Sequence, residues 1–307
     1  MSEAQQFDVV VVGGGLAGLT AGLFSARLGR STLVLESLMP GGHLGSIAQI
    51  EDFPGFPQGV PGYDLGPMVQ EQAAAAGAEF QMGELQSIAA ADGGWRVVTT
   101  EGELQARTII IATGSGNRAL GVPGEERLAG NGVSHCASCD GPMLKGKKVV
   151  VVGAGDSGLQ EALTLAGFAG EVLVLHQSAN PTAQETYLKR VREQSKIKVQ
   201  GNTVIDEILG ESVVTGVRVR ENGSAREIAA DAVFVYIGLQ PNTGFLQGIA
   251  DLDDAGRIRT DICMRASAAG LFAAGDVRAD SASQAVTAAG DGATAAMAAD
   301  RYLKGLV

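Results

Sequence analysis

The order of apolar and polar positions is the same in two stretches of the chain. Four consecutive valines lead into a glycine turn and then an Ala- and Leu-rich stretch, at Val9–Gly18 and again at Val149–Gly158. A short apolar run bounded by glycine predicts a buried strand, and the residues after the turn favour a helix. Such a turn can place backbone N–H groups and a helix N-terminus on a pyrophosphate. The repeat therefore predicts two dinucleotide-binding units, with two ordinary strand–helix turns as the alternative.

The second predicted strand of each unit differs in its last residue. Thr32–Glu36 ends in an acid, which suits the two hydroxyls of a ribose. The corresponding segment of the second unit, Val172–His176, ends in histidine. Gln177, Ser178 and Thr182 follow without an arginine, the usual partner of a 2′-phosphate. The first unit thus has its ribose anchor, whereas the second lacks the residues that select NAD or NADP.

Two similar units, one inserted into the other, predict an α/β fold with two nested dinucleotide-binding domains of the Rossmann-like, three-layer kind. The outer domain is expected over residues 1–117 and 245–307, and the inner domain over 118–244. Turn-rich junctions lie at Gly114–Asn117 and Gly238–Gly244. Trp95–Thr100 and Val213–Val219 have the composition of further strands.

Composition narrows the classes of function. Apolar residues make up 45% of the 307, enough for globular cores, and the net charge is −11. A basic excess is needed to bind nucleic acid or an anionic membrane, so neither partner is expected. No positively charged leader precedes the first strand and no apolar run reaches about 18 residues, so we expect neither a signal peptide nor a membrane span but a cytoplasmic protein. A C-x-x-C pair in such a chain indicates redox or metal chemistry.

Six motifs, in order along essentially the whole chain, resemble the low-molecular-weight thioredoxin reductases. They are Gly13–Gly18, Pro40–Leu44, Ile50–Gly55, Cys136–Gly141, Gly275-Asp276 and Val286–Gly292. The resemblance implies an FAD domain interrupted by a smaller pyridine-nucleotide domain, a homodimer, and a thioredoxin-like protein or a small disulfide or dithiol as partner.

The same resemblance implies which residues hold FAD. Gly13, Gly15, Gly18 and Glu36 would hold its ADP half, with Gly42, His43, Leu44 and Asp52 along the flavin and ribityl chain. Asp276 would lie at the ribityl–pyrophosphate region, and Ser283, Gln284 and Ala285 would bring a helix N-terminus to the flavin. The other implied cofactor contacts are Gly14, Ala17, Thr113, Gly114 and Gly275. Three positions depart from the family: His43 replaces Gln, Asp52 replaces a frequent Asn, and Ser283 replaces Arg.

The implied catalytic residues are Cys136, Cys139 and Asp140. Cys139 would exchange electrons with the flavin, Cys136 would attack the partner's disulfide as a thiolate, and Asp140 would act as the acid. His135 could lower the pKa of Cys136, or simply pack against the turn. Cys263 is expected to be a small buried apolar residue.

Two other interpretations of the C-x-x-C pair stay open. A structural zinc site needs four ligands, and beyond the pair the chain offers only Cys263 and three histidines, at positions 43, 135 and 176. We therefore predict no metal site. A buried structural pair of thiols is the second alternative.

The electron donor is the least defined part of the prediction. NADPH-dependent relatives carry a His-Arg-Arg stretch and a further Arg in the inner domain, but Gln177, Ser178 and Thr182 stand there. We therefore expect a reductase fed by ferredoxin, another flavoprotein or weakly bound NADH. A flavin-dependent dithiol oxidase that passes electrons to oxygen, or a flavin-binding redox sensor without fast turnover, are the alternatives.

Overall fold

A computed structural model describes residues 5–306 of the chain. They divide into two compact units: an outer unit of residues up to Gly116 and from Gln240 onward, and an inner unit, Asn117–Leu239. The sequence-based boundary after residue 244 lies further along the chain. Within the outer unit, Thr243 donates to Gly256 O at 2.6 Å, so the segment before that boundary packs with this unit. Residues 1–4, on which the signal-peptide expectation rests, lie outside the described residues.

Strands and helices alternate near the two glycine turns, and strands follow one another elsewhere. In chain order the strands are β1 (Gln5–Val12), β2 (Thr32–Glu36), β3 (Glu79–Met82), β4 (Leu85–Ala91), β5 (Gly94–Thr99), β6 (Gly102–Ile111), β7 (Ser115–Asn117), β8 (Val133–Ser134), β9 (Lys148–Val152), β10 (Glu171–Leu175), β11 (Ile197–Gln200), β12 (Thr203–Leu209), β13 (Gly216–Glu221), β14 (Ser224–Ala229), β15 (Ala232–Val235), β16 (Leu239–Pro241) and β17 (Leu271–Ala273). The helices are α1 (Leu16–Arg27), α2 (Gly62–Ala75), α3 (Ala137–Asp140), α4 (Asp156–Ala166), α5 (Glu185–Glu193) and α6 (Ala285–Leu303). Short 3₁₀ turns cover Gly42–Ser46, Gly141–Leu144 and Gly244–Leu246.

The outer unit is built on a sheet in the order β3-β2-β1-β6-β5-β4, with β17 also paired to β6. The pairs among β3, β2, β1, β6 and β17 are parallel, and β5 and β4 continue as antiparallel strands. Successive valines of β1 face opposite sides, as the two-residue period of a strand requires. Val9 and Val11 pack with α1 and α6, whereas Val10 and Val12 pack in the core on the other face. The four valines are therefore buried from both sides.

The inner unit has a parallel sheet in the order β11-β10-β9-β15-β8 and an antiparallel meander, β12-β13-β14. Val149 and Val151 of β9 pack against α4 and α5, and Val150 and Val152 pack against the meander. Helix, parallel sheet and antiparallel sheet thus form three layers. The predicted α/β class with two nested dinucleotide-binding folds is confirmed.

Smaller features refine the sequence expectations. The predicted strand at Trp95–Thr100 corresponds to β5, but the one at Val213–Val219 begins only at Gly216. Its first residues turn back instead, because Thr215 N–H donates to Leu209 O at 2.9 Å.

The two connections between the units, β7 and β16, pair with each other. Among the described residues, no helix is both long and apolar enough to cross a membrane.

Candidate functional site

The first glycine turn, between β1 and α1, needs glycine for steric reasons. Gly13 has φ of 105°, and a Cβ on it would lie 2.3 Å from the Ala112 carbonyl oxygen. A Cβ on Gly18 would lie 1.8 Å from the Gly13 carbonyl oxygen. A Cβ on Gly15, in contrast, would have no atom of a neighbouring segment within 4 Å, so the start of α1 has open space in front of it. The turn is closed on its inner side and open where a phosphate group would approach.

The carboxylate of Glu36 lies against this turn. Its Oε2 accepts a hydrogen bond from Gly14 N–H at 2.6 Å, and its Oε1 accepts from Ser37 N–H at 2.7 Å and Leu38 N–H at 3.0 Å. Hydrogen bonds to an ionised acceptor are among the stronger ones in proteins. They fix the acid at the end of β2 beside the glycine turn, where the sequence pattern predicted a ribose anchor.

A second pair of glycines packs on the first turn. Gly41 and Gly42 have φ of 104° and 55°, and Gly41 N–H donates to Gly14 O at 2.8 Å. A Cβ on Gly42 would lie 3.1 Å from Gly15 Cα. The two backbones approach closely, which a side chain at Gly42 would hinder. These contacts attach residues 42–44 to the first glycine turn.

His43 and Asp276 influence each other within the outer unit. The His43 side chain reaches solvent, yet the surrounding protein lowers its pKa by desolvation, and the charge of Asp276 acts in the opposite direction. Desolvation raises the pKa of Asp276, while the Ser281 hydroxyl and His43 act against that rise. An imidazole and a carboxyl group therefore lie near each other beside the glycine-rich loops.

A buried ion pair holds the loop that carries Gly275 and Asp276. Asp291 of α6 accepts from Gly275 N–H at 3.2 Å and from Arg278 Nε at 2.6 Å and Nη2 at 3.1 Å. The Arg278 and Asp291 side chains are only 16% and 10% exposed. Gly275 also approaches α1, since a Cβ on it would lie 2.9 Å from Ala17 Cβ. Sequence reasoning missed Arg278, although a cation in an apolar, glycine-rich stretch was a usable signal.

The structure brings most of the remaining predicted cofactor residues to the same loops. Thr113, beside the first glycine turn, donates through Oγ1 to Asn242 O at 2.8 Å, and Gly114 O accepts from Asn242 N–H at 3.0 Å. Leu44 and Ala285 share one apolar cluster with the first residue of α1.

The segment that enters α6 has an unusual backbone. Asp280 and Ser283 have φ of 57° and 52°, in the left-handed region that non-glycine residues seldom adopt. Gln284 is the N-cap of α6 and Ala285 its first residue. Asp52 is exposed. Ile50 and Phe53, on either side of Asp52, pack in the apolar cluster that contains Leu16 at the start of α1 and Ala285 at the start of α6.

In the inner unit, Cys136 and Cys139 form a disulfide bond at the start of α3, with their Cα atoms 5.3 Å apart. Cys139 N–H donates to Cys136 Sγ at 3.2 Å, and Cys136 N–H donates to Ser134 Oγ at 3.1 Å. Cys139 is exposed, and Cys136 and Asp140 are half-buried. The oxidised pair is held in a compact turn, and the Cys136 Sγ accepts a backbone hydrogen bond even in the disulfide.

The other cysteine and histidines take different surroundings. His135 lies with Nδ1 2.9 Å from Val235 O, so its ring is held by the end of β15. Cys263 is half-buried, at the edge of an apolar cluster of the outer unit. No group of three or more His, Cys, Asp or Glu residues within 5–306 is arranged to hold a metal ion.

Sequence reasoning missed two polar residues, Glu161 and Tyr236. They lie behind the turn of residues 136–140 that carries the disulfide, called the redox turn below. Glu161 of α4 is 7% exposed, and its Oε2 accepts from Ala137 N–H at 3.2 Å. Burial raises the pKa of Glu161 to about 7, while the Ala137 N–H and the nearby Tyr236 hydroxyl act in the opposite direction. The signal was present in α4, where Glu161 lies one position before Ala162 on the buried face.

A segment of the inner unit packs beside the second glycine turn, between β9 and α4. Thr182 N–H donates to Ala154 O at 3.0 Å. The Asp156 carboxylate accepts from Gln184 N–H at 2.7 Å and from Gln184 Nε2 at 2.8 Å. His176, just after β10, is 8% exposed, and burial lowers its pKa. The segment that follows β10 is thus packed beside the turn. The residue that holds it there, Asp156 at the start of α4, is an acid rather than a cation.

Comparison with known proteins places these features in a family. Residues 7–292 match the family model described as pyridine nucleotide-disulphide oxidoreductase. The chain belongs to this family. It is 40% identical to a thioredoxin reductase of Treponema pallidum over 97% of both chains. Among solved structures, the thioredoxin reductase of Lactococcus lactis matches with a TM-score of 0.95 and 36% identity over 98% of this chain and 100% of the other.

A further solved structure agrees with that result. The thioredoxin reductase of T. acidophilum matches this pyridine nucleotide-disulphide oxidoreductase with a TM-score of 0.94 and 33% identity, over 99% of this chain and 100% of the other. The predicted resemblance to the low-molecular-weight thioredoxin reductases is confirmed. The chain is a flavoprotein oxidoreductase of the thioredoxin reductase type.

Proposed function

We propose that this enzyme is a disulfide reductase that passes electrons from FAD through Cys136 and Cys139 to a thioredoxin-like protein, with an electron donor other than NADPH. The observation that carries the proposal is the Cys136–Cys139 disulfide, exposed at Cys139, on a dinucleotide-type fold. Full-length relatives named thioredoxin reductase support the disulfide of a thioredoxin as the electron acceptor. A homodimer and a cytoplasmic location stay predictions from the sequence.

The outer unit fits FAD. Open space in front of Gly15 at the start of α1 suits a pyrophosphate, and the Glu36 carboxylate beside it suits a ribose diol. Gly42, His43, Asp276 and the N-terminus of α6 would lie along the rest of the cofactor, together with the other residues predicted above. When bound, FAD supplies the electron pair that reduces the disulfide.

The protein's own residues would then carry the exchange with the partner. The Cys136 thiolate would attack one sulfur of the partner's disulfide and form a mixed disulfide with it. Cys139 would displace the partner's sulfur from Cys136, which reforms the Cys136–Cys139 bond and releases the partner as a dithiol. Asp140, half-buried at the end of α3, would supply the proton that the leaving thiolate needs.

The proposal on the donor rests on the second glycine turn. Gln177, Ser178 and Thr182 bring no cation for a 2′-phosphate. The hydrogen bonds of Thr182 to Ala154 and of Gln184 to Asp156 hold the segment that would need to receive a nucleotide beside the turn, and an acid rather than a cation fixes it there. A protein donor such as ferredoxin or another flavoprotein, or weakly bound NADH, is therefore favoured over NADPH.

The test is anaerobic reduction of the purified yellow protein, followed by its flavin absorbance. NADPH, NADH and a photoreduced ferredoxin are supplied separately, and each mixture is then tested for reduction of a thioredoxin disulfide. We expect bleaching through ferredoxin and turnover of the thioredoxin. Rapid bleaching by NADPH would refute the donor assignment, and a reduced enzyme that leaves thioredoxin oxidised would refute the reductase function.

A further inference from the structure

A buried carboxyl group lies behind the redox turn and has no part in the electron route above. Glu161 is 7% exposed, and its Oε2 accepts from the N–H of Ala137, the residue that follows Cys136. Ala137 is itself fully buried. The carboxyl group is thus bound to the backbone of the redox turn from the protein interior.

Two further titratable groups approach this carboxyl. The Tyr236 hydroxyl, after β15, is buried and forms no hydrogen bond of ordinary geometry with the part of the chain that the structure describes. After burial, the charges of Glu161 and Asp140 both raise the pKa of Tyr236, so the hydroxyl lies near both acids. Tyr187 of α5 packs in the apolar cluster that contains Ala137 and against which Tyr236 packs. Glu161 and the Tyr236 hydroxyl are therefore buried polar groups behind the cysteine pair, and the half-buried Asp140 acts on the Tyr236 hydroxyl through its charge.

Reduction of the disulfide changes the charge in this cluster. The Cys136 Sγ already accepts the Cys139 N–H at 3.2 Å, and a thiolate there would keep and strengthen that hydrogen bond. A thiolate on the half-buried Cys136 and an ionised, buried Glu161 bound to the N–H of the next residue, Ala137, would be two like charges on one turn. Like charges at close range disfavour ionisation of one of them, so the affinity of Glu161 for a proton must rise on reduction.

Resting on the proposed reductase function, we propose that Glu161 is a positioning residue that takes up one solvent proton when the Cys136–Cys139 disulfide is reduced. Two electrons and one proton convert the disulfide into a Cys139 thiol and a Cys136 thiolate, and a second proton binds the Glu161 carboxylate. Reoxidation re-forms the S–S bond and releases both protons. The uptake on Glu161 occurs between about pH 7, above which the oxidised protein holds this group ionised, and the higher pKa of the same group in the reduced protein. Glu161 then accepts the hydrogen bond from Ala137 N–H in both redox states, since a carboxylic acid still has an acceptor oxygen.

The test is the equilibrium between the holoprotein and dithiothreitol redox buffers, measured anaerobically between about pH 6 and pH 9. Alkylation after an acid quench and peptide mass measurement report the Cys136 and Cys139 thiols independently of the flavin. The variants are Glu161→Gln and, as a control, Glu193→Gln, which removes the same charge from an exposed position. With the pKa of Glu161 at about 7 in the oxidised protein, a one-unit rise on reduction makes the reduction constant of the wild type, divided by that of Glu161→Gln, fall about fivefold from pH 7 to pH 9 and about eightfold from pH 6 to pH 9. Glu193→Gln should follow the wild type.

A ratio that is the same at every pH would overturn the inference, because a purely structural role shifts the constant without changing its pH dependence. A measurement on the wild type keeps the test valid if the variant folds poorly. The infrared difference between reduced and oxidised protein at about pH 8 should gain a protonated carboxyl band, and its absence would also overturn the inference. A Cys136–Cys139 pair that dithiothreitol cannot reduce would refute both proposals, whereas reversible reduction without the pH effect refutes only this one.

Discussion

The buried carboxyl group of Glu161 should also make the stability of the oxidised protein depend on pH. Its ordinary pKa of 4.5 is raised to about 7 in the native protein, chiefly by burial. As pH rises above 4.5, the unfolded chain ionises this group while the native protein holds it neutral, so the free energy of unfolding falls until about pH 7 and then levels off. Each unit of pKa difference corresponds to about 1.4 kcal/mol, so the loss amounts to about 3 kcal/mol.

Glu161→Gln removes this dependence, because an amide has the same shape and does not titrate. The measurement is calorimetric unfolding of wild type and variant in matched buffers between about pH 4.5 and pH 8. The wild type should lose stability relative to the variant by about 3 kcal/mol across this range, a relative shift of roughly 5 °C in the unfolding temperature of a chain of this length. Other titrating groups are common to both proteins and cancel in the difference.

Glu193→Gln is again the matched control, and it should track the wild type at every pH. The reasoning fails if wild type and Glu161→Gln keep a constant difference across the range. That result would mean that the native carboxyl ionises as readily as in the unfolded chain, with the Ala137 N–H and water compensating for its burial.

Three further variants test the two sites. Cys139→Ser should abolish reduction of a thioredoxin disulfide yet leave the flavin spectrum intact; loss of flavin on purification would show that the pair is structural. Glu36→Ala removes the proposed ribose anchor and should weaken FAD binding about ten- to a hundredfold, as expected for hydrogen bonds to a charged group, in a fluorescence titration of the apoprotein. Unchanged affinity would exclude that role. Asp291→Asn leaves Arg278 buried without its carboxylate and should lower the free energy of unfolding by about 3–5 kcal/mol in calorimetry, whereas a change under about 1 kcal/mol would contradict the assigned burial of the pair.

Local patterns in the sequence were sufficient for much of the fold. The runs Val9–Val12 and Val149–Val152 predicted β1 and β9 correctly, because a strand buried on both faces needs apolar residues at consecutive positions. Gly13 and Gly18 predicted the turn, because the backbone contacts that exclude a Cβ there arise within one strand–turn–helix unit. The Val213–Val219 segment was only partly a strand, since its first residues are decided by contacts with β12 and with Asn131.

The sequence by itself determined the two strand–glycine turn units, the acid Glu36 at the end of β2 and the spacing of Cys136 and Cys139, because each depends on residues close together in the chain. The repetition of the first unit later in the chain predicted the nested α/β architecture. Only the tertiary structure decided which distant groups meet: Asp291 with Arg278 beneath the Gly275 loop, and Glu161 with Ala137 behind the disulfide. The physical reason is that the pKa and hydrogen bonding of a buried group depend on desolvation and on neighbours from other elements. No spacing along the chain encodes these contacts, because the packing of α6 on the Gly275 loop and of α4 on the Cys136–Asp140 turn sets them.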